Sequence, residues 1–142
     1  MITSKQIVMV TCDDAGADTA DITLINPLLR LEGLCYAVAA LLIYWQQGFS
    51  WWMFAFLILV PDVSMLGYFA GPRVGAICYN IVHATPLTWA LLIFGYFTNN
   101  TFALPIALIW FAHIGIDRVL GYGLKYATGF KDTHLGSLDK PS

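Results

Sequence analysis

Four long apolar runs constrain the fold of this sequence more than any other feature. They cover roughly residues 27–45, 50–70, 75–97 and 101–122, and the whole chain is 58% apolar and only 11% charged. Each run is close to the about 20 residues that an α-helix needs to cross a hydrocarbon layer. The sequence therefore predicts an all-α, polytopic membrane protein. Because the connections between runs are short, it also predicts an up-down bundle of four transmembrane helices.

The segments that flank the apolar runs are polar. Residues 1–26 contain the acidic stretch "CDDAGADTAD" and are predicted to form a flexible or surface-lying tail. Residues 127–142 are predicted to form a polar C-terminal tail, which leaves residues 27–126 as the transmembrane domain. The stretch "KQIVMV" falls well short of the roughly 7 to 15 apolar residues of a signal peptide, so none is expected.

The basic residues indicate how the bundle is oriented. The connections "WQQGFS" and "FTNNT" carry no charge, whereas both tails and the turn "AGPRVG" do. By the positive-inside rule, both termini are expected in the cytoplasm. The expected partner is the lipid bilayer, with a homo-oligomer or a membrane partner protein left open, and no basic cluster suggests nucleic acid. All seven basic residues lie on the predicted cytoplasmic side: Lys5, Arg30, Arg73, Arg118, Lys125, Lys131 and Lys140.

Polar side chains recur inside the apolar runs at similar depths. An ionisable group there costs roughly 2.5 to 3.5 kcal/mol on insertion scales, so each needs a physical reason. Counted from the predicted cytoplasmic ends, all of them lie about five to nine residues in, within one leaflet. Every predicted helix contributes at least one member of this set: Glu32, Asp62, Asn80, His83, His113 and Asp117.

This set contains suitable ligands for a divalent metal ion such as Zn, Mn or Fe. His113 and Asp117 are four residues apart and therefore project from one stripe of their helix. His83 and Asp62 are predicted to complete the metal shell. Pro61, beside Asp62, would also free a backbone carbonyl one turn earlier, which a kinked and polar region tolerates best.

Two further residues are predicted to act in catalysis around such a metal. Glu32 is a candidate general base, with a role as a further ligand or as a partner of a ligand also open. Arg118, adjacent to Asp117, is a candidate for holding an anionic phosphate or for neutralising Glu32. A C-terminal segment that folds back over the cluster would add the imidazole of His134.

Three other interpretations of the same residues stay open. The polar set can be a structural network that specifies helix packing, in a protein with no enzymatic activity. It can load and release an ion or a proton through Glu32, Asp62 and Asp117. It can also hold a haem between His83 and His113.

Two longer stretches resemble a known family. "VPDVSMLGYFAGPRVGAICYNIVHATP" and "AHIGIDRVLGYGLKYATGFKDTHLG" are similar to an uncharacterised family of short bacterial membrane proteins, defined only as a domain of unknown function. The resemblance extends from Leu28 to Gly136. It implies four helices and a multi-pass protein of the bacterial inner membrane, and it does not indicate an activity.

A looser likeness is to inner-membrane proteins described as metal-dependent hydrolases. Their motifs also pair "PD" at a helix end with separated histidines, for which Pro61-Asp62, His83 and His113-Asp117 would be the counterparts. This chain has "YNIVH" and "DTHLG" where those proteins have an element like "HRG-THS". The likeness implies a metal-dependent hydrolase that acts on a lipid or another amphiphilic ester or phosphoester.

Overall fold

The computed structural model of the protein describes residues 14–126, 132–133 and 136–137, with side chains for residues 25–126 and 133. In this part of the chain, four helical segments are long and apolar enough to span a membrane. They are Ile25–Gln46, Trp51–Ala70, Pro72–Thr98 and Ala103–Leu120. The predicted all-α class and the four-helix membrane fold are therefore confirmed.

The first and last spans are continuous helices. Helix α1, Asp14–Gln46, begins earlier than the start predicted at Pro27 and carries that proline within it. The fourth span is a single helix that lies at the centre of the bundle, and most of its residues from Ala107 to Gly115 are buried. We call it α5, Ala103–Leu120.

The second and third spans are each divided in two, which the sequence analysis did not predict. The second consists of α2, Trp51–Leu57, and an eleven-residue 3₁₀ helix, Val60–Ala70. The third consists of α3, Pro72–His83, and α4, Thr85–Thr98. Beyond α5, two short antiparallel strands pair with each other, β1 at Asp132–Thr133 and β2 at Gly136–Ser137.

Helix α5 packs against α1 on one side and α4 on another, while the 3₁₀ helix packs on α3. Two glycines bring α1 and α5 together. A Cβ added at Gly115 would lie 2.6 Å from the carbonyl oxygen of Gly33 and 2.7 Å from the backbone nitrogen of Ala37. Small residues at such crossings let helix backbones approach closely, as is common in membrane bundles.

Pro86 explains where α3 ends. A proline has no backbone N–H, and its ring would clash with the carbonyl of Val82 one turn earlier. Helix α3 accordingly ends at His83, and Ala84 is extended with φ −82° and ψ 142°. The indole N–H of Trp110 on α5 donates to the Val82 carbonyl at 2.8 Å. The break therefore places His83 at a helix end that faces α5.

Helix α5 ends in a turn that carries the chain back across the bundle. Gly121 adopts φ 90°, in the left-handed region that glycine tolerates best. The N–H of Tyr122 donates to the Asp117 carbonyl at 2.8 Å. Lys125 then forms an isolated antiparallel bridge with Thr133. The segment from Gly121 to Tyr126 thus returns alongside the end of the helix that carries His113 and Asp117.

Candidate metal centre

The four side chains that the sequence predicted as metal ligands converge inside the bundle. Asp62 comes from the 3₁₀ helix and His83 from the end of α3. His113 and Asp117 come from successive turns of α5. One ligand atom of each residue lies within 4.8 Å of those of the other three. This group of nitrogen and oxygen atoms is able to hold a metal ion.

The separations within this cluster are short and similar. His83 Nε2 lies 3.1 Å from His113 Nε2, 3.6 Å from Asp62 Oδ1 and 3.5 Å from Asp117 Oδ2. His113 Nε2 lies 3.5 Å from Asp62 Oδ1 and 3.6 Å from Asp117 Oδ2. Ligands placed tetrahedrally around a metal with bonds of about 2.1 Å are about 3.4 Å from one another. Five of the six separations are therefore close to those expected around a metal ion, and the sixth, between the carboxylates of Asp62 and Asp117, is within 4.8 Å.

Hydrogen bonds account for only part of this convergence, since the one between His113 Nε2 and His83 Nε2, at 3.1 Å, leaves the two carboxylates without a proton donor on the histidine rings. The Nδ1 atom of His83 lies 3.0 Å from the carbonyl oxygen of Tyr79, which only accepts. In a neutral His83 the ring proton is therefore on Nδ1, and Nε2 presents a lone pair to the carboxylates of Asp62 and Asp117. Lone pairs that face each other repel unless a cation or a proton lies between them. A backbone carbonyl that fixes the tautomer in this way is typical of a metal-binding histidine.

The cluster is buried on the histidine side and more open on the side of Asp62. The side chain of His83 is 4% exposed and that of Asp117 17%, whereas that of Asp62 is 33% exposed. A ligand from outside would reach the cluster most easily beside Asp62.

Tyr79 supports two of the four residues. Its ring stacks on His83 with centroids 3.7 Å apart and planes 9° apart. Its hydroxyl donates to Asp117 Oδ2 at 3.2 Å. Tyr79 is not in the polar set that the sequence analysis singled out. Its position four residues before His83, on the same helix stripe, was the signal available for this contact.

Asn80, which the sequence placed in the polar set, holds the returning C-terminal segment. Its amide nitrogen donates to the Lys125 carbonyl at 2.8 Å, and its amide oxygen accepts from the Lys125 N–H at 2.7 Å. The Lys125 ammonium lies 4.8 Å from the centroid of the Tyr79 ring. Burial lowers the pKa of this ammonium, whereas the carboxylates of Asp117 and Asp62 act in the opposite direction. Lys125 thus lies beside Tyr79, near enough to Asp117 and Asp62 for their charges to act on it, a position that its place after the last span did not reveal.

We expect Asn80→Ala to loosen this segment. The variant removes both hydrogen bonds to the Lys125 backbone, and a lost buried hydrogen bond costs about 1 to 3 kcal/mol, so exchange of the Lys125 amide should accelerate about tenfold or more. Hydrogen exchange of the detergent-solubilised protein, followed by mass spectrometry, measures this. Asn80→Asp keeps the acceptor and should give an intermediate rate. An unchanged rate in Asn80→Ala would show that other contacts hold the segment.

Glu32 lies outside the four-residue cluster. Its carboxylate accepts a short hydrogen bond from the Tyr36 hydroxyl and lies 3.9 Å from Nη1 of Arg118. The guanidinium of Arg118 also lies over the Tyr36 ring, 5.6 Å from its centroid. Glu32 therefore contacts Arg118 from the α1 side. His134, the further imidazole considered in the sequence, lies outside the described residues.

Arg118 connects this pair with the cluster. A cleft of about 10 Å³ lies beside the cluster and is lined by Tyr79, His83, Asp117, Arg118 and the returning segment at 122–124. This volume suits roughly one water molecule. The cleft thus brings a guanidinium, a histidine and a carboxylate to one small space.

Comparisons with known proteins identify a family, but the description of that family assigns it no activity. A family model described as "Domain of unknown function (DUF4260)" matches residues 26–138, which include all four spans. No curated protein and no solved structure matches the chain.

Proposed function

Since this chain belongs to the DUF4260 family, a domain family without an assigned function, we propose its function from the site itself. The protein is proposed to be a membrane-embedded metalloenzyme that hydrolyses an ester or phosphoester bond of an amphiphilic substrate. In this proposal the centre lies in the cytoplasmic half of a bacterial inner membrane.

The observation that carries the proposal is the convergence of two imidazoles and two carboxylates, in which five of the six separations between ligand atoms are 3.1 to 3.6 Å. Two nitrogen and two oxygen ligands suit Zn, whereas Mn and Mg generally take six oxygen-rich ligands. The haem interpretation does not fit, because no macrocycle fits between two nitrogen atoms 3.1 Å apart.

If a position stays open on the exposed side beside Asp62, a divalent metal held by these residues would bind a water there and lower its pKa to about 7. Hydrolysis then needs no further reactant. The water oxygen bonds to the carbonyl carbon or the phosphorus, and the bond from that atom to the leaving oxygen breaks. One proton of the water passes to the leaving oxygen, and the other stays with the acid product.

The surrounding residues have distinct proposed roles. Tyr79 orients His83 through its carbonyl and Asp117 through its hydroxyl. Arg118 lines the cleft beside both ligands and would hold the negative charge that develops on the substrate. Glu32, predicted from the sequence as the general base, contacts Arg118 and Tyr36 instead of the cluster, which favours a role in positioning Arg118.

The test combines metal analysis with hydrolysis assays on protein purified in detergent. We expect about one Zn ion per chain, and hydrolysis of a panel of lipid esters and phosphoesters that stops when a chelator removes the metal. In Arg118→Gln, turnover should fall about 100-fold, as when one oxyanion-hole donor is removed, while the metal content stays unchanged.

Arg73→Gln is the matched control, since it removes a guanidinium at the start of α3, away from the cleft. It should retain both metal and turnover. Wild-type protein that retains no Zn, Mn or Fe after purification and reconstitution would contradict the metal centre. A metal-loaded protein that hydrolyses no member of the panel would instead favour a structural role for the cluster.

A further inference from the structure

A second and much larger cavity is lined by residues that neighbour Asp62 and His83 in the chain. It has a volume of about 490 Å³ and is formed by the end of α2, the 3₁₀ helix, α3 and α5. Its walls are almost entirely hydrocarbon, and they include Leu57, Val60, Val82 and Ile109. A volume of this size is in the range of pockets that hold ligands of several hundred daltons. We call this cavity the apolar crevice.

The residues that line the apolar crevice are near three of the four cluster residues in the chain. Pro61 and Val63, which line it, flank Asp62 in the chain, and Val82 directly precedes His83. Trp110 lies one turn before His113 on α5. At about 1.5 Å per residue, Trp110 and Arg118 are separated by about 12 Å along the helix, with the cluster between them. The metal centre therefore lies between an apolar space and a cationic one.

The crevice opens towards the surrounding lipid. Val63 and Ile106 on its rim are 58% and 36% exposed in a part of the protein that spans the membrane. At this depth the surroundings of the protein are hydrocarbon chains, so the occupant that matches the walls is a chain of the same kind. The crevice thus opens to the bilayer beside Val63, which directly follows Asp62, the most exposed cluster residue.

The wall also contains a polar atom that lacks a partner among the described residues. The hydroxyl of Ser64 is buried and makes no hydrogen bond, although it lines the crevice two residues from Asp62. Buried hydroxyls normally have a hydrogen-bond partner. An occupant with an oxygen atom near the Asp62 end would satisfy this donor, which a plain hydrocarbon would not.

From these observations we propose that the apolar crevice binds the acyl chain of a bilayer lipid, with an ester or phosphoester oxygen of that lipid near Ser64 and Asp62. The inference rests on the proposed function and names its substrate class. The lipid enters laterally from the membrane, its chain fills the crevice, and its polar linkage meets the centre on the open side. Arg118 then lies beyond the linkage, where it can meet the negative charge of the headgroup.

Photo-crosslinking tests the crevice without any need for turnover. The protein is reconstituted in vesicles of dioleoyl phosphatidylcholine with a small fraction of the same lipid that carries a diazirine in one acyl chain. After irradiation, labelled positions are mapped by mass spectrometry. We expect labels to concentrate at the crevice residues Val63, Val82 and Ile106, well above the exposed lipid-facing Phe69.

A pair of neighbouring substitutions supplies the control. Val82→Phe fills the crevice and should reduce its labelling about tenfold, since groups of methylene size are worth 10-fold or more in a tight apolar pocket. Ile81→Phe places the same ring on the exposed face of α3, because Ile81 is 55% exposed, and should leave the labelling unchanged. Labels spread evenly over all lipid-facing residues, with no response to Val82→Phe, would overturn the inference.

Metal content measured on the same samples separates this inference from the proposed function. Retained Zn with uniform labelling contradicts the crevice as a lipid site and leaves the metal centre intact. Concentrated labelling in a protein that binds no metal contradicts the metalloenzyme, and with it the claim that the bound lipid is a substrate.

Discussion

His113→Gln is expected to abolish metal binding. The variant removes one of the two imidazoles in the cluster, whose four ligand atoms all lie within 4.8 Å of one another. Loss even of a residue that only supports a ligand typically costs 10- to 100-fold in metal affinity, so loss of the ligand itself should cost about 100-fold or more. Zn content by inductively coupled plasma mass spectrometry, with competition against a chromogenic chelator, measures the effect.

Glu32→Gln is the informative comparison for that variant. It neutralises a carboxylate on α1 that lies outside the cluster and contacts Arg118. It should keep full metal content, whereas Asp117→Asn should lose metal as His113→Gln does. Circular dichroism and gel filtration establish that each variant is folded. If the folded His113→Gln protein bound Zn as tightly as the wild type, His113 would not be a ligand.

Gly115→Leu is expected to have the largest effect on stability. Even a single Cβ at this position would lie 2.6 Å from the Gly33 carbonyl oxygen, and backbone atoms cannot move aside as a flexible side chain can. The crossing of α1 and α5 must then open, at a cost of about 3 kcal/mol or more. Because His113 and Asp117 lie on either side of Gly115, metal affinity should fall along with the melting temperature.

Ile116→Leu, at the next position, controls for the substitution itself. Ile116 is 39% exposed, and the change conserves volume, so the effect should stay within about 0.5 kcal/mol. Thermal unfolding in detergent, followed by circular dichroism, gives both values. A Gly115→Leu protein as stable as the wild type would show that the two helices do not need this close contact.

Much of the candidate site was predictable because depth along a transmembrane helix can be counted directly. Asp62, His83 and Asp117 were each placed within about nine residues of one membrane face, and the structure brings them together with His113. Their role as metal ligands stays a prediction. The four spans were equally predictable, since length and hydropathy determine them.

The direction in which each residue faces was harder to predict. Glu32 has the right depth but faces Arg118 and Tyr36, because α1 packs on a different side of α5 from α3 and the 3₁₀ helix. Adjacent residues on a helix point about 100° apart, so Asp117 and Arg118 meet different neighbours. Lys125 lies near the cluster because the chain turns back at Gly121 and because the Asn80 amide forms hydrogen bonds with the Lys125 backbone. Both features depend on the tertiary fold.

The 3₁₀ helix that carries Asp62 also determines how far the second span reaches. A 3₁₀ helix rises about 2.0 Å per residue against 1.5 Å for an α-helix, so eleven residues extend about 5 Å further. If the same residues formed an α-helix, the span would be shorter and its apolar length would no longer match the bilayer. Such a hydrophobic mismatch costs free energy for every ångström. The fit of the second span to the membrane thickness and the position of Asp62 therefore depend on the same backbone hydrogen bonds.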